Sequence, residues 1–228
     1  MDATEMLGDI PLFSGLGPLE LRLIAGHVRK HRFRGETTVL HCENPGGALY
    51  VILSGRVKVH NTTLEGKDVP IADLADGELF GELSLFDGKG RSADVTTLEP
   101  TEVLVLTREA MLECIRQAPQ IAINLLSTLA GRIRSANEII QALITLDAPG
   151  RAAKQLLVLA RQHGVKTPEG VQIPIRLTQS DFASLIGTTR ETANKILNEF
   201  RSLGWLAIDK QRRITLLRED RLMQRSSG

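Results

Sequence analysis

The sequence predicts an α+β protein with an N-terminal jelly-roll-like β-roll, a long helix and a C-terminal winged helix-turn-helix. Three observations predict this fold. Short strand patterns separated by glycine turns fill the first half, an apolar repeat with a seven-residue period follows, and two short amphipathic helices flank a glycine near the C-terminus. We expect the β-roll domain over 1–118, the long helix over 119–147 and the winged helix-turn-helix domain over 148–228.

The 228 residues give room for two small domains that each bury a core. No run of 18 or more apolar residues occurs, and the first residues lack a basic segment followed by an apolar one. We therefore expect neither a membrane span nor secretion. Cys42 and Cys114 lie far apart without metal-ligand spacing, which fits free thiols in a reducing cytoplasm.

In the first domain a short helix is expected over 18–28, before the strands. Runs of strand-forming residues, bounded by turn pairs such as Ser54-Gly55 and Asp87-Gly88, predict the strands. The predicted strands are 38–42, 48–53, 56–60, 69–74, 94–97 and 102–107. Many short strands of this kind are typical of a jelly-roll-like domain, whose interior can hold a small ligand.

The long helix carries an apolar stripe at alternating steps of four and three residues, which we call the seam. The seam residues are Ala122, Leu126, Leu129, Ile133, Ala136, Ile140 and Leu143. This a/d repeat is typical of a helix that pairs with its own copy, and we expect a parallel homodimer. Apolar residues at 139, 144 and 146 widen the stripe, so packing on the β domain stays open as a second role.

Residues 147–150, Asp-Ala-Pro-Gly, are expected to break the helix and form a hinge. An amphipathic helix follows over 151–163. The segment 177–205 then predicts two short helices joined by a turn at Gly187, with one capping box formed by Thr178 and Asp181 and another by Thr188 and Glu191. Their apolar faces carry Phe182, Leu185 and Ile186 on the first helix and Ala193, Ile196, Leu197 and Phe200 on the second. Residues 205–217 predict a β-hairpin wing that turns at 209–212.

The outward face of the second helix and the wing carry polar and basic groups that predict contact with duplex DNA. Residues 151–228 contain 14 Lys and Arg against 7 Asp and Glu, a net charge of +7, whereas residues 1–150 carry −6. A basic module suits a polyanion, because neutralising phosphates releases counterions. The alternative is a helical hairpin with a solvated charged face. The predicted DNA-binding residues are Thr189, Arg190, Glu191, Asn194, Lys195, Lys210, Arg212 and Arg213.

The segment 77–95 carries more polar chemistry than a strand connection requires. Gly81 allows close backbone approach, and Glu82 is an acceptor for sugar hydroxyls. Arg91 offers a planar fork of donors for a phosphate, and Ser92 and Ala93 add a hydroxyl and backbone N–H groups. A carboxylate for ribose and a guanidinium for phosphate favour a nucleotide site. The alternative is an ordinary surface ion pair between Glu82 and Arg91.

The order of these parts resembles the cyclic-AMP receptor protein (CRP/FNR) family of bacterial transcription regulators. The resemblance covers nearly the whole chain and is carried by four segments. These are ALYVILSGRVKV (48–59), FGELSLFDGKGRSADV (80–95), TLDAPGRAAKQLLVLA (145–160) and TTRETANKIL (188–197). It implies a dimer that binds a two-fold symmetric site on double-stranded DNA, recruits or blocks RNA polymerase in the cytoplasm and responds to cyclic AMP; activation and repression both stay open.

By this resemblance, Glu82 accepts the ribose 2′-hydroxyl of cyclic AMP, and Arg91 and Ser92 hold the cyclic phosphate. Gly81, Leu83 and Ala93 shape the backbone around it. The residues that meet the adenine in cyclic-AMP-binding members, a Thr followed by Ser or Asn, are Ala136 and Asn137 here. Because Ala136 lacks the hydroxyl, cyclic GMP and a protein that needs no small molecule stay open as alternatives.

On the DNA side, the resemblance makes Arg190 a reader of guanine and Glu191 a partner of cytosine N4, in agreement with donor and acceptor geometry. Lys195 stands where the family usually has Arg, and a lysine cannot make the same two-pronged contact.

An enzyme is not expected. A metal-dependent β-roll enzyme would need clustered histidines, whereas His41 and His60 are isolated. Haem binding at His41-Cys42 has no supporting ligand pattern, and no G-x-S-x-G nucleophile motif occurs. We therefore expect no metal and no catalytic residues.

Overall fold

The structure is a computed structural model that describes residues 3–63, 66, 68–174, 178–209 and 211–227. It divides into two compact units, Met1–Ile133 and Arg134–Gly228. The α+β fold with an N-terminal β domain, a long helix and a C-terminal helix-turn-helix confirms the predicted fold class. The three-part division of the chain stays a prediction.

The first unit consists of short helices around two four-stranded antiparallel sheets, with strand orders β1-β8-β3-β6 and β2-β7-β4-β5. Its strands are β1 Arg29–Phe33, β2 Thr38–Leu40, β3 Ala48–Ser54, β4 Val57–Thr62, β5 Asp68–Leu74, β6 Leu79–Phe80, β7 Asp94–Thr97 and β8 Thr101–Thr107. Its helices are α1 Ala3–Gly8, a 3-10 turn at Pro11–Phe13, α2 Pro18–Ala25, α3 Glu82–Asp87 and α4 Arg108–Gln117.

Each predicted strand of this unit is present, with ends shifted by one or two residues. The sequence did not predict β1, whose residues RKHRF are mostly exposed and charged. An edge strand of this kind has no alternating apolar face to detect, and its charges protect the sheet edge from pairing with other chains. The core between the sheets and the helices buries Leu49, Leu104 and Leu106 together with Phe13 and Met111.

The long helix α5, Gln120–Thr145, confirms the predicted long helix. At its start, Ile121 and Leu125 are buried in the core of the first unit, and Leu129 packs against it. The amide of Asn124 donates to the carbonyl oxygens of Leu12 and Ser14, at 3.0 and 2.8 Å. The first turns of α5 therefore pack on the β domain through Ile121 and Leu125. The residues expected to widen the stripe do not provide this packing, since Ile139 and Ile144 are exposed.

The second unit continues with α6 Ala148–His163, β9 Val165–Thr167, β10 Gly170–Ile173, α7 Gln179–Leu185, α8 Arg190–Ser202, β11 Leu206–Ile208, β12 Ile214–Leu216 and α9 Glu219–Ser226. Its antiparallel sheet has the order β11-β12-β10-β9. Phe182 and Phe200 lie at the centre of its core, between α6, α7, α8 and the sheet. The pair β11–β12 is the predicted wing.

The expected hinge at 147–150 is shorter than predicted. Only the step from Leu146 to Asp147 interrupts the helices, because Ala148–His163 is helical and Asp147 is its N-cap. The Asp147 carboxylate accepts a hydrogen bond of 2.9 Å from the Gly150 N–H. Pro149 is tolerated there because the N–H groups of a first helical turn have no partner within the helix.

The second predicted capping box also needs a correction. Thr178 and Asp181 form the expected box at the start of α7. At α8 the N-cap is Thr189, whose hydroxyl accepts from the Thr192 N–H at 3.2 Å, and not Thr188. Thr188 still belongs to the preceding turn, since its N–H donates to the Ala183 carbonyl at 2.9 Å after the left-handed Gly187.

Candidate functional site

The segment between β6 and β7 places two charged side chains inside the first unit. Gly81 has a φ of 80°, a left-handed conformation that favours glycine, and it turns the chain from β6 into α3. Glu82 begins α3 and is 4% exposed, and Arg91 follows α3 and is 6% exposed. Charged side chains this deeply buried are rare unless they are paired or hydrogen-bonded.

The Arg91 guanidinium is held by its own domain. Its Nη1 donates to the Gly81 carbonyl at 2.8 Å, the Ala48 carbonyl at 3.0 Å and the Ser84 hydroxyl at 2.9 Å. The guanidinium carbon lies 5.9 Å from the centre of the Tyr50 ring. Burial lowers the pKa of Arg91, and the nearby Tyr50 and Glu82 act in the opposite direction. All three bonds use Nη1, so fixing the side chain does not require Nη2 or Nε.

Glu82 has a partner that the sequence did not predict. Arg132 on α5 places its Nη1 2.7 Å from Glu82 Oε1 and its Nη2 2.5 Å from the Leu79 carbonyl oxygen. The alternative of an ordinary surface ion pair between Glu82 and Arg91 is therefore wrong, because both are buried and the carboxylate pairs with Arg132. No sequence signal marked Arg132, since 50 residues separate it from Glu82.

The other predicted ligand residues differ in exposure. Ala93 is buried beside Arg91, whereas Ser92 and Leu83 are exposed. Asn137 is exposed on α5 in the second unit. The structure thus brings Glu82 and Arg91 close to each other within the first unit, and Ala93 is buried in the same unit.

Three of the predicted DNA-binding residues line a groove in the second unit. A cavity of about 380 Å³ lies between α7, α8 and the wing, and Arg190, Asn194 and Arg212 line it. Gln179 of α7 and Arg201 of α8 line it too, and the sequence did not predict them. These two residues were only weakly indicated by the sequence, because a lone polar residue on a helix is usually only solvated.

Glu191 and Lys195 are exposed on α8. Lys210, which was also predicted to bind DNA, lies outside the described residues. Arg213 bonds to Asp209 of its own turn through its N–H at 2.8 Å and its Nε at 2.6 Å. These bonds hold the pKa of Asp209 below its usual value. Arg212, at the tip, has a φ of 64°.

The described part of the chain offers little other chemistry. Within it, no group of three or more His, Cys, Asp and Glu side chains could hold a metal ion. Cys42 and Cys114 are free thiols, and burial raises the pKa of Cys114 to about 11. None of the described helices is long and apolar enough to cross a membrane.

Comparison with known proteins identifies both units. The family model described as "Cyclic nucleotide-binding domain" matches residues 30–118, and the one described as "Crp-like helix-turn-helix domain" matches 150–225. A CRP-like cAMP-activated global transcriptional regulator of Mycobacterium tuberculosis is 34% identical over 205 residues, 90% of this chain and 92% of that protein. The chain belongs to the CRP/FNR family. This CRP/FNR family member is thus a CRP-like DNA-binding transcription regulator with a cyclic-nucleotide-binding domain, which confirms the resemblance.

Two further matches agree with this membership, and a third shows the same fold. The cyclic AMP receptor protein of Thermus thermophilus is 36% identical over 194 residues, 85% of this CRP/FNR chain and 87% of that protein. The crystal structure of Thermus thermophilus catabolite activator protein matches with 33% identity and a TM-score of 0.56, over 96% of this chain and 99% of that one. A CooA mutant from Carboxydothermus hydrogenoformans is 23% identical with a TM-score of 0.79 over 99% and 96% of the two chains, and shows the shared fold.

Proposed function

We propose that this regulator is a homodimer whose β-rolls bind cyclic AMP, and that the bound nucleotide controls its binding to a two-fold symmetric DNA site. One observation carries the proposal. Glu82 and Arg91, a buried carboxylate and a buried guanidinium, lie in the segment that the cyclic-nucleotide-binding family model covers. Burying two charges is costly in free energy. A ligand that carries a hydroxyl and a phosphate would bond to the carboxylate and to the guanidinium.

The chemistry of the pocket suits a cyclic nucleotide. Glu82 would accept the ribose 2′-hydroxyl, and Arg91 and Ser92 would hold the cyclic phosphate. Gly81 and Ala93 would let the backbone approach, and the exposed Leu83 would border the pocket. The relatives from Mycobacterium tuberculosis and Thermus thermophilus are named for cyclic AMP, which favours this nucleotide here as well.

Arg132 gives the pocket a link to the long helix. Its guanidinium already occupies Glu82 Oε1, so an incoming ribose hydroxyl must share the carboxylate with it. Asn137 lies five residues further along α5. From the seam of one chain it would reach the pocket of the partner chain and meet the base there with its amide donor and acceptor. A nucleotide that binds one arrangement of these residues better than another shifts the population toward it.

Dimerisation is supported by the exposed part of the seam. Leu126, Ile133 and Ile140 are 61, 60 and 54% exposed, and Leu143 is exposed as well. Aliphatic side chains in an a/d repeat of this kind favour pairing with the same helix of a second chain.

The proposed DNA contacts follow from the groove and the charge of the second unit. Arg190 and Glu191 would read base edges in the major groove, together with Asn194 and Lys195, and Thr189 would hold the start of the helix. The wing residues Lys210, Arg212 and Arg213 would approach phosphates. Two recognition helices of a dimer, about 34 Å apart, would meet successive major grooves, in a regulator that acts on RNA polymerase in the cytoplasm.

Ala136 supports a second candidate, in which the effector is cyclic GMP or no small molecule is needed. It stands where cyclic-AMP-binding members of the family carry a hydroxyl for the base. Such a protein would bind the same DNA site, and its control would lie in a different nucleotide or in its own abundance.

The test is calorimetric titration with cyclic AMP and with cyclic GMP, followed by the anisotropy of a labelled palindromic duplex at fixed salt. We expect cyclic AMP to bind and to strengthen duplex binding. Arg91→Lys should weaken nucleotide binding at least about tenfold, because lysine lacks the planar fork. Lys89→Met, which removes a charge from the same exposed loop, is the matched control. Wild-type protein that binds the duplex equally well with and without either nucleotide would refute gating.

A further inference from the structure

Gln179, the first residue of α7, connects that helix to two of the proposed base-reading side chains on α8. Its amide Nε2 donates to Asn194 Oδ1 at 2.9 Å, and its Oε1 accepts from Arg190 Nε at 3.4 Å. Asn198 Nδ2 also donates to Asn194 Oδ1, at 3.3 Å. Gln179 is half-buried, so its amide lies partly sheltered from water between the two helices.

The chemistry of arginine sets the direction of this chain of hydrogen bonds. A guanidinium only donates, so the group of Gln179 that faces Arg190 must be the oxygen. The amide nitrogen of Gln179 therefore faces Asn194, and the atom of Asn194 that meets it must be the oxygen. Asn194 Oδ1 then accepts from Gln179 and from Asn198, and these two bonds use both of its lone pairs.

We infer that Gln179 is a positioning residue that sets the base specificity of Asn194 and holds the fork of Arg190 toward DNA. The inference rests on the proposed function, in which Arg190 and Asn194 meet base edges. With its oxygen occupied, Asn194 presents only its Nδ2 donors, which suit the acceptor edges of guanine or thymine. A free asparagine instead pairs with adenine through both its oxygen and its nitrogen. Gln179 thus disfavours adenine at the base pair that Asn194 meets.

The same bond orients Arg190. Gln179 Oε1 accepts the hydrogen bond from Arg190 Nε–H. The two terminal amino groups of Arg190 then remain for the two-pronged contact with guanine O6 and N7. A long side chain that is fixed before binding loses less rotamer entropy when it meets the base.

The experiment is selection of duplexes from a pool with randomised two-fold half-sites, in the presence of cyclic AMP. Gln179→Leu removes both amide contacts and keeps a side chain of similar size. We expect its preference against adenine at one base pair of each half-site to fall about fivefold or more, the low end of a good base contact. Preference at the pair read by Glu191 should stay unchanged.

Gln179→Glu separates positioning from a merely structural role. A carboxylate still accepts from Arg190 but cannot donate to Asn194, so the Asn194 amide must turn its nitrogen inward and present its oxygen. We expect the guanine preference at the Arg190 pair to persist. Selection at the Asn194 pair should move to a base with a donor edge, such as cytosine. Gln162→Leu, the same change at an exposed glutamine of α6, is the control.

The outcomes separate this inference from the proposed function. If the wild-type protein selects no sequence, the base-reading roles fail and the inference fails with them. If it selects a two-fold site and both Gln179 variants select the identical site, only the inference is overturned. A uniform loss of affinity at all base pairs in both variants would show that Gln179 only supports helix packing, and would also overturn it.

Discussion

Glu82 at the start of α3 and Arg132 on the long helix α5 form an ion pair. The carboxylate is buried, and the guanidinium is 35% exposed. Burying a charge without its partner is costly, so each of the two residues depends on the other. Because Arg132 lies on α5, a ribose hydroxyl that bonded to Glu82 would also change the contact between Glu82 and this helix.

Arg132→Met should lower the free energy of unfolding by about 1–3 kcal/mol. This is less than the loss of a partner from a fully buried pair, because solvent reaches Arg132. Urea denaturation at neutral pH measures it, with Arg134→Met, two residues along the same helix, as the control. Glu82→Gln should reduce the effect of Arg132→Met in a double-mutant cycle. Equal stability of the Arg132 and Arg134 variants would contradict the prediction.

Asp147 makes the stability of the second unit depend on pH. Hydrogen bonds from Arg225, at 2.5 Å, and from the Gly150 N–H hold the pKa of Asp147 below its usual value. A carboxylate with a lowered pKa in the folded state stabilises the fold above its ordinary pKa and loses that contribution as pH falls through the folded pKa. The relevant window is therefore acidic.

Asp147→Ala should lower the free energy of unfolding by about 1 kcal/mol at neutral pH, since it removes an N-cap. The difference from wild type should shrink below about pH 4, as the wild-type carboxylate takes up its proton. Asp147→Asn keeps the cap acceptor and should lose only the charged contact with Arg225. Thermal unfolding at several pH values tests this, and a difference that stays constant down to pH 2 would count against it.

At the scale of elements, α5 has a face packed in the β domain and an exposed face. Its first turns pack into the core of the β domain through Ile121 and Leu125. The seam is exposed at Leu126 and again from Ile133 through Ile140 and Leu143. One amphipathic pattern thus covers an intramolecular face and a face that has room for a second chain.

Ile133→Glu and Ile140→Glu should each shift the protein toward monomer, because a charge at an a position would be buried in a paired helix. Sedimentation equilibrium over a range of concentrations measures the effect. Ser135→Glu, an exposed position outside the seam, is the control and should leave association unchanged. Association that is equally strong in all three variants would remove the seam as the dimer interface.

The start of α8 gives a second prediction about an element. Thr189→Ala should lower the free energy of unfolding by about 1 kcal/mol, because it removes the side chain that caps the recognition helix. Thr188→Ala should cost less, since the contact of Thr188 with Ala183 is made by its backbone. Urea denaturation of the two variants compares them directly. The reverse order would restore the capping box that the sequence suggested.

At the scale of the whole molecule, charge is divided unevenly along the chain. Residues 151–228 carry +7 and residues 1–150 carry −6, so the total of +1 conceals a basic half. Because phosphate contacts release counterions, this division predicts DNA binding that weakens steeply with salt.

Arg212→Ala should weaken binding to all duplexes alike and reduce the slope of log affinity against log salt by about one. Arg190→Ala should instead cost about 1–3 kcal/mol on the selected site and much less on random duplex. Anisotropy titrations over a series of salt concentrations distinguish the two. If Arg190→Ala weakened all sequences equally, Arg190 would be a phosphate contact.

Much of the secondary structure of this protein could be predicted from local patterns in its sequence. The apolar stripes of α5 and α8 and the strands from β2 to β8, apart from the short β6, were predicted from the sequence. The sequence also marked Glu82 and Arg91 as candidate ligand residues. The order of these parts also predicted the family. Local patterns carry this information because helices and strands repeat with fixed periods and bury one face, and because turns need particular residues.

Only the tertiary structure decided which distant side chains meet. It paired Glu82 with Arg132, 50 residues away, and placed the Gln179 amide between Arg190 and Asn194. It also assigned the cap of α8 to Thr189 and added the charged edge strand β1. These contacts depend on how separate elements pack and on where the backbone turns. Neither can be predicted from the repeat period of a single segment.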